Sequence, residues 1–431
     1  MSNRPSQRHR FLDVLRGFAL LGILPVNIPY FALAVTDAEG GGAIRSLWDR
    51  IVAEGTDALF TYRFLSIFSL LFGVGIVILR RRCEARGAPF GRVIVRRLLA
   101  LLLFGALHVL LLWYGDILVL YAIAGLVLFV CSAWRASTLQ ATGVVLVVVP
   151  ILLVLALAAV PGLAELIDTA DPDLSEEAVQ KMAAASSGPI DDFVGALPEF
   201  HPAFESAVYR DGTFARQIAL RLVTWLGAMI FAFLVISPRV AGLFLIGMAF
   251  AKSGWILRPA ENRGRSVALA GWGLGAGIPL QVLATWVAFG EDAPARAELV
   301  REAILQGASL CTMAGYIGLL GLACARPSPR RWTAPLEAIG RTAFSNYILQ
   351  SILCTALFYS WGFGLFGSFS RAPLLGVVIG VWALQLSISP LWLRRHRSGP
   401  LEMIWRRMTY GRGRREISTS FSAPAQTSPS V

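Results

Sequence analysis

Ten apolar stretches, most of them about twenty residues long, dominate this chain. A helix needs about 20 residues to cross the hydrocarbon core of a bilayer, where no water is present to pair with free backbone groups. The chain is therefore predicted to form an all-α, polytopic transmembrane bundle of about ten helices. The predicted spans are residues 11–34, 58–79, 94–113, 115–133, 139–160, 226–251, 266–289, 302–325, 343–360 and 373–393.

Composition excludes the soluble classes of protein. Hydrophobic residues make up 56% of the 431 residues and charged residues only 15%, well away from an average soluble domain. The formal net charge is +12, but the cationic residues stand between apolar stretches rather than on a separate basic module. We therefore expect membrane lipids and no nucleic acid as partners.

Arginine is concentrated in some of the connections, and this bias indicates their orientation. The N-terminal segment, the connection 80–97 and the segment 394–415 are rich in arginine, whereas the connections 37–57 and 168–192 carry 12 of the 27 acidic residues and are expected to lie outside. We expect the arginine-rich segments and both termini to be cytoplasmic.

The chain divides into four parts by this reasoning. The predicted parts are N-terminal transmembrane helices with an LDxLRG motif (1–161), an extracytoplasmic loop (162–215), C-terminal transmembrane helices ending in an amphipathic interfacial helix (216–410) and a disordered tail (411–431).

The stretch 216–251 is interrupted by Ser237 and Pro238, so it fits either one crossing or two. One kinked crossing after an interfacial helix with Arg216 and Arg221 preserves the charge rule, and we prefer it.

The first span carries a polar stripe. At about 100° per residue, Asp13, Arg16 and Asn27 fall within roughly 60° of one another on one helix face. Polar groups at membrane depth are costly, so they indicate function by default. The stripe indicates either an anchoring ion pair with an interhelical amide bond or one wall of an active site.

His108 is the only histidine at membrane depth, close to the outer end of its span. A side chain that titrates near neutrality suits general-base catalysis or acyl carrying. Asp116 follows a predicted turn at Trp113–Gly115 and is placed to orient the imidazole. The alternative is a histidine that only bonds a neighbouring helix.

A second polar stripe begins the penultimate predicted span, where Thr342, Asn346 and Gln350 recur every four residues. This spacing places them on one face, toward the bundle interior or a cavity, with Arg341 at the cytoplasmic end. Hydrogen bonding between helices is the competing interpretation.

No metal or tightly bound cofactor is predicted. The five cysteines show no CxxC spacing, and no glycine-rich loop of nucleotide-binding type precedes a helix.

Four segments together resemble the bacterial YeiB family: residues 12–28 with LDVLRG, His108 with WYGDIL (113–118), residues 340–351 and residues 399–411. The resemblance spans nearly the whole chain and implies a bacterial inner (cytoplasmic) membrane location. The opening motif is also similar to that of membrane O-acyltransferases of surface polysaccharides and of the lysosomal heparan glucosaminide N-acetyltransferase. The O-acyltransferases carry a histidine where this chain has Asn27, so the resemblance leaves His108 as the available catalytic histidine.

This resemblance implies transfer of an acyl group from cytoplasmic acyl-CoA to an extracytoplasmic glycan, lipid or small-molecule acceptor. The residues then expected to act in catalysis are His108, Asp116 and Asn27. The residues expected to bind substrate are Asp13, Arg16, Arg341, Asn346 and Gln350. The alternatives are a transporter or flippase for a small or lipid-linked molecule, and a membrane scaffold without catalysis.

Overall fold

The computed structural model describes residues 10–39, 44–160, 202–287, 295–325 and 333–410. All regular structure within these ranges is helical. The α-helices are α1 (Arg10–Ala32), α2 (Val35–Glu39), α3 (Leu47–Leu59), α4 (Arg63–Glu84), α5 (Phe90–Leu111), α6 (Leu118–Leu128), α7 (Ala136–Ala158), α8 (Pro202–Asp211), α9 (Phe214–Phe231), α10 (Ser237–Ser253), α11 (Arg263–Val287), α12 (Ala295–Ala325), α13 (Ala334–Arg341), α14 (Ala343–Phe358), α15 (Arg371–Arg395) and α16 (Pro400–Tyr410).

Seven helical stretches among the described residues are long and apolar enough to cross a membrane: Arg10–Ala32, Leu47–Glu84, Phe90–Leu111, Ala136–Ala158, Arg263–Val287, Arg296–Ala325 and Arg371–Arg395. Two shorter apolar helices, Leu118–Ala133 and Ala343–Phe358, coincide with further predicted spans. The all-α bundle is thus confirmed. The total of about ten crossings and the cytoplasmic location of both termini stay predictions.

The described part of the chain also contains helices where the sequence indicated connections. The predicted outer loop 37–57 contains most of α3. Asp49 on α3 accepts a hydrogen bond of 2.7 Å from the N–H of Ala372, and this bond joins α3 to α15. A residue in the left-handed conformation, Tyr62 at φ 63°, separates α3 from α4. Short amphipathic helices were missed because their apolar faces are too brief to stand out beside the spans.

The region around Ser237 is a helical path with one irregular turn. A π-helical turn, Ala232–Ile236, joins α9 to α10 at the predicted break. The Arg221 side chain is buried within the protein, and the interfacial position of its helix stays a prediction. The guanidinium donates from Nε to the Gln217 carbonyl (3.0 Å) and from Nη1 to the Leu112 carbonyl (2.8 Å), while Nη2 is buried without a hydrogen bond among the described residues.

Backbone contact between two glycines joins α1 to α13. A Cβ on Gly17 would lie 1.9 Å from the Leu336 carbonyl oxygen, and a Cβ on Gly340 would lie 1.7 Å from that of Asp13. Small residues allow this approach, and it yields close van der Waals packing that lipid cannot match. The same device joins α4 to α10 at Gly73 and Gly247.

Helix α8 packs over one end of the bundle. Glu205 accepts a hydrogen bond of 2.9 Å from the N–H of Val35, and the Tyr209 ring stacks on Tyr359 at 4.4 Å. Most of the predicted 162–215 loop and the predicted 411–431 tail lie outside the described residues. At the other end, α16 packs against α5, with the Trp405 Nε1–H donating to the Arg97 carbonyl.

Substitution of Gly17 tests the α1–α13 contact. Gly17→Ala is expected to cost about 1–3 kcal/mol, because the added methyl group must push two backbones apart. Gly75→Ala is the matched control, since nothing lies within 4 Å of its added Cβ. Thermal unfolding in detergent should show a drop of several degrees for Gly17→Ala only. Equal melting temperatures for both variants would contradict the contact.

The α8 contact makes stability depend on pH. Burial raises the pKa of the Glu205 carboxyl to about 7, while the Val35 N–H acts in the opposite direction. Between about pH 4.5 and 7 the folded protein keeps a proton that the unfolded chain has lost, so the free energy of unfolding falls as pH rises. Glu205→Gln is expected to raise the melting temperature at pH 8 and to change it little at pH 5.

The control for this measurement is Glu84→Gln, whose carboxylate is exposed. A gain for Glu205→Gln that is the same at both pH values would show that the carboxyl does not titrate in this window.

Candidate functional site

His108 lies on α5, one turn before its end, with 2% of the residue exposed. Its Nε2 is 2.8 Å from the Ser351 Oγ, and its Nδ1 is 3.0 Å from the Asp116 Oδ1. The serine and aspartate thus approach opposite nitrogens of one buried imidazole. The Nδ1–Oδ1 contact is close in distance but is not aligned as a hydrogen bond.

The turn between α5 and α6 brings Asp116 back to His108. The chain leaves the helix after Leu111, and the Trp113 indole N–H donates to the Tyr30 carbonyl at 3.1 Å, which fixes the turn against α1. The other carboxylate oxygen of Asp116 accepts a bond of 2.7 Å from the Val119 N–H at the start of α6. The carboxylate therefore has a fixed orientation.

Ser351 is the member of this cluster that sequence reasoning missed. It lies on α14 and is 1% exposed, 243 residues from His108 in the chain. Its only local signal is that it follows Gln350, at the edge of the predicted polar stripe. No spacing rule predicts a partner on another helix.

Hydroxyl, imidazole and carboxylate follow one another in the order used by serine hydrolases, in which the imidazole exchanges a proton with the hydroxyl and the carboxylate orients the ring. The Tyr347 ring, 5.2 Å from the imidazole centroid, and the Trp113 ring, at 6.4 Å, form part of its surroundings. A carboxylate in such surroundings is placed to orient the imidazole.

The second polar stripe pairs α14 with α15. Asn346 donates to the hydroxyls of Thr342 and Ser389, each at 2.8 Å. Gln350 donates to the Gln385 side-chain carbonyl at 3.0 Å, and Gln385 donates to the Asn346 backbone carbonyl at 2.9 Å. The predicted substrate-binding amides Asn346 and Gln350 are thus engaged between helices.

At the opposite end of the bundle, Asp13 and Arg16 form the predicted ion pair, with 3.0 Å between Oδ1 and Nη1. Asp13 is 4% exposed, whereas Arg16 is half-buried. Arg82 and Arg97 lie within electrostatic range of Arg16, and both also lie within range of Arg406. We call these four arginines, including Arg16, the donor-side cluster. Arg341 donates to the Arg397 carbonyl at 3.1 Å.

Asn27 lies apart from both groups. It is half-buried on α1, and its side chain makes no hydrogen bond to any residue that the structure describes. Tyr30, one turn further along α1, contacts the turn that carries Asp116 through the Trp113 bond. Asn27 thus lies one turn before the α1 residue whose backbone carbonyl contacts this turn.

Comparisons with known proteins indicate the family. The family described as "Protein of unknown function (DUF418)" matches residues 250–412. The chain is 31% identical to YxaH of Bacillus subtilis (strain 168) over 418 residues, covering 94% of this chain and 95% of that protein. It is 31% identical to YeiB of Escherichia coli (strain K12) over 421 residues, covering 94% and 96%. No solved structure matches the chain.

The α14–α15 stripe generates a prediction about coupling. Gln350→Leu or Gln385→Leu leaves a buried amide without its partner, at a cost of about 1–3 kcal/mol, whereas the double variant removes both groups. In SDS unfolding, the double variant is expected to lose less free energy of unfolding than the sum of the two single losses, by roughly 1 kcal/mol. Ser387→Ala, which alters an exposed hydroxyl on α15, is the control. Strict additivity would contradict the mutual bond.

Proposed function

We propose, from the premise that this chain belongs to the YeiB-like family, that it is a membrane acyltransferase with His108 as its general base. The acyl donor is cytoplasmic acyl-CoA, and the acceptor is an extracytoplasmic glycan, lipid or small molecule. The observation that carries the proposal is the buried imidazole held between Asp116 and Ser351.

In the proposed reaction, His108 Nε2 accepts the proton of the attacking hydroxyl or amine. The new C–O or C–N bond forms as the thioester C–S bond breaks, and the imidazolium returns the proton to the departing CoA thiolate. Asp116 stabilises the imidazolium that exists between these two steps. Ser351 holds the imidazole until the acceptor replaces it, or is itself acylated before the acceptor attacks.

Asn27 is the side chain best suited to stabilise the oxyanion. Catalysis of acyl transfer needs donors aimed at the carbonyl oxygen as its negative charge develops. The Asn346 and Gln350 amides already serve their neighbours, whereas the Asn27 amide has no hydrogen bond within the described residues. Its position one turn before Tyr30 supports this role.

The donor-side cluster supports the choice of acyl-CoA. Four arginines with Asp13 as a nearby acidic partner form a strongly positive surface, which suits the phosphates of CoA. Arg97 and His108 are eleven residues apart on α5, about 16 Å along its axis. The proposal therefore places the CoA phosphates at one end of α5 and the acyl group near the other, with Arg341 at the same cytoplasmic end.

A purely structural cluster is the second candidate. Full burial of both the His108 and Asp116 side chains favours it, because a closed network serves packing as well as chemistry. It predicts that changes at His108 lower protein abundance and melting temperature, with no separate loss of transfer.

Ligand titration in nanodiscs tests the donor side. Acetyl-CoA and palmitoyl-CoA are titrated against wild type, Arg16→Gln and His108→Gln. We expect Arg16→Gln to weaken binding at least tenfold, because it removes one cation from the donor-side cluster and the partner of Asp13. His108→Gln is expected to bind within twofold of wild type, since it leaves that cluster unchanged.

Arg50→Gln, an exposed arginine on α3, is the matched control and should bind as wild type. Saturable binding that Arg16→Gln leaves unchanged would reject the donor-side assignment. Absence of binding by any acyl-CoA would reject the acyltransferase proposal.

A further inference from the structure

Two adjoining cavities lie away from the His108 cluster and share one side chain, Trp255. One has a volume of about 240 Å³ and lies among α4, α7, α10, α11 and α12. The other has a volume of about 650 Å³ and lies where α4 ends and α11 begins. We call them the apolar groove and the basic cavity.

The basic cavity suits an anionic group. Arg81, Arg258 and Arg265 line it, and Glu261 is the single acidic residue in the lining. Glu261 pairs with Arg258 at 3.3 Å, and the remaining cations leave the lining positively charged. Arg265 is exposed and has no ion pair among the described residues, so its guanidinium is available to a ligand.

The apolar groove suits a hydrocarbon chain. Its lining consists entirely of apolar side chains, including Leu70, Ile246 and Met313, so water would find no hydrogen-bond partner there. Helix α7 forms one wall and buries little of its surface, with Val145 and Leu152 more than half exposed. The groove therefore lies beside a helix that faces the membrane.

We propose that these two cavities hold one anionic phospholipid. The lipid belongs to the leaflet on the cytoplasmic side, where the protein's connections are rich in arginine. Its phosphate contacts the arginines of the basic cavity, and one acyl chain lies in the apolar groove. Trp255 stands between the two parts, where an indole suits the boundary between headgroup and hydrocarbon. Basic pockets between membrane helices on the cytoplasmic side are suited to such headgroups.

The occupant is a resident lipid rather than the acyl donor of the proposed reaction. No lining residue of either cavity belongs to α5, which carries His108, or to α14, which carries Ser351. None belongs to α6 or to the turn that carries Asp116. A thioester in the groove would not meet the imidazole. The inference therefore stands independently of the proposed function.

Lipid retention tests this inference. The protein is purified in mild detergent, delipidated and returned to nanodiscs of phosphatidylcholine with or without 30% phosphatidylglycerol. Wild type should bind phosphatidylglycerol by native mass spectrometry and melt several degrees higher when it is present. The triple variant Arg81→Gln/Arg258→Gln/Arg265→Gln should retain at least tenfold less of it and lose the thermal gain.

The control is Arg394→Gln/Arg395→Gln/Arg397→Gln, which removes three exposed arginines at or just beyond the end of α15. It should retain the lipid as wild type does. Ala314→Phe fills the groove and should weaken long-chain phosphatidylglycerol while sparing the dihexanoyl form.

Three results would overturn the inference. The first is equal retention of phosphatidylglycerol by the basic-cavity variant and the control, and the second is equal binding of phosphatidylcholine and phosphatidylglycerol. The third is loss of palmitoyl-CoA binding in the basic-cavity variant, which would assign the cavities to the acyl donor.

Discussion

Backbone contact between Gly17 and Gly340 sets the register of the helices that carry the polar clusters. The contact fixes α13 against the N-terminal half of α1, beside Asp13. Helix α14 begins two residues after α13 ends, so its side chains inherit that register. Ser351, which meets His108, lies on this helix, so the glycine contact and the His108 cluster share the α13–α14 segment.

The bilayer imposes a second constraint on the same helices. Polar groups at membrane depth must find partners within the protein. Asn346, Gln350 and Gln385 meet this requirement through one another. The His108 cluster differs, because its groups are of the kind that exchange protons rather than only pair.

Seven of the predicted spans coincide with helices long and apolar enough to cross a membrane, because hydropathy is a local property of the sequence. Asp116 was expected to assist His108, but the turn between them left their separation open, and the structure places the two side chains 3.0 Å apart. Ser351 and the burial of Arg221 were not predictable, because both depend on contacts between distant helices. The amides of Asn346 and Gln350 illustrate the same limit: periodicity placed them on one face, but only the packing of α15 shows what they bond.

Catalysis by His108 is the central claim, and CoA release tests it most directly. Purified protein in proteoliposomes is given acetyl-CoA with an extract of envelope lipids and glycans, and free thiol is measured over time. We expect wild type to release CoA only when the extract is present. His108→Gln should release none, whereas Gln385→Leu should still release CoA although its melting temperature falls. Equal release by wild type and His108→Gln, or no release from any acyl-CoA, would contradict it.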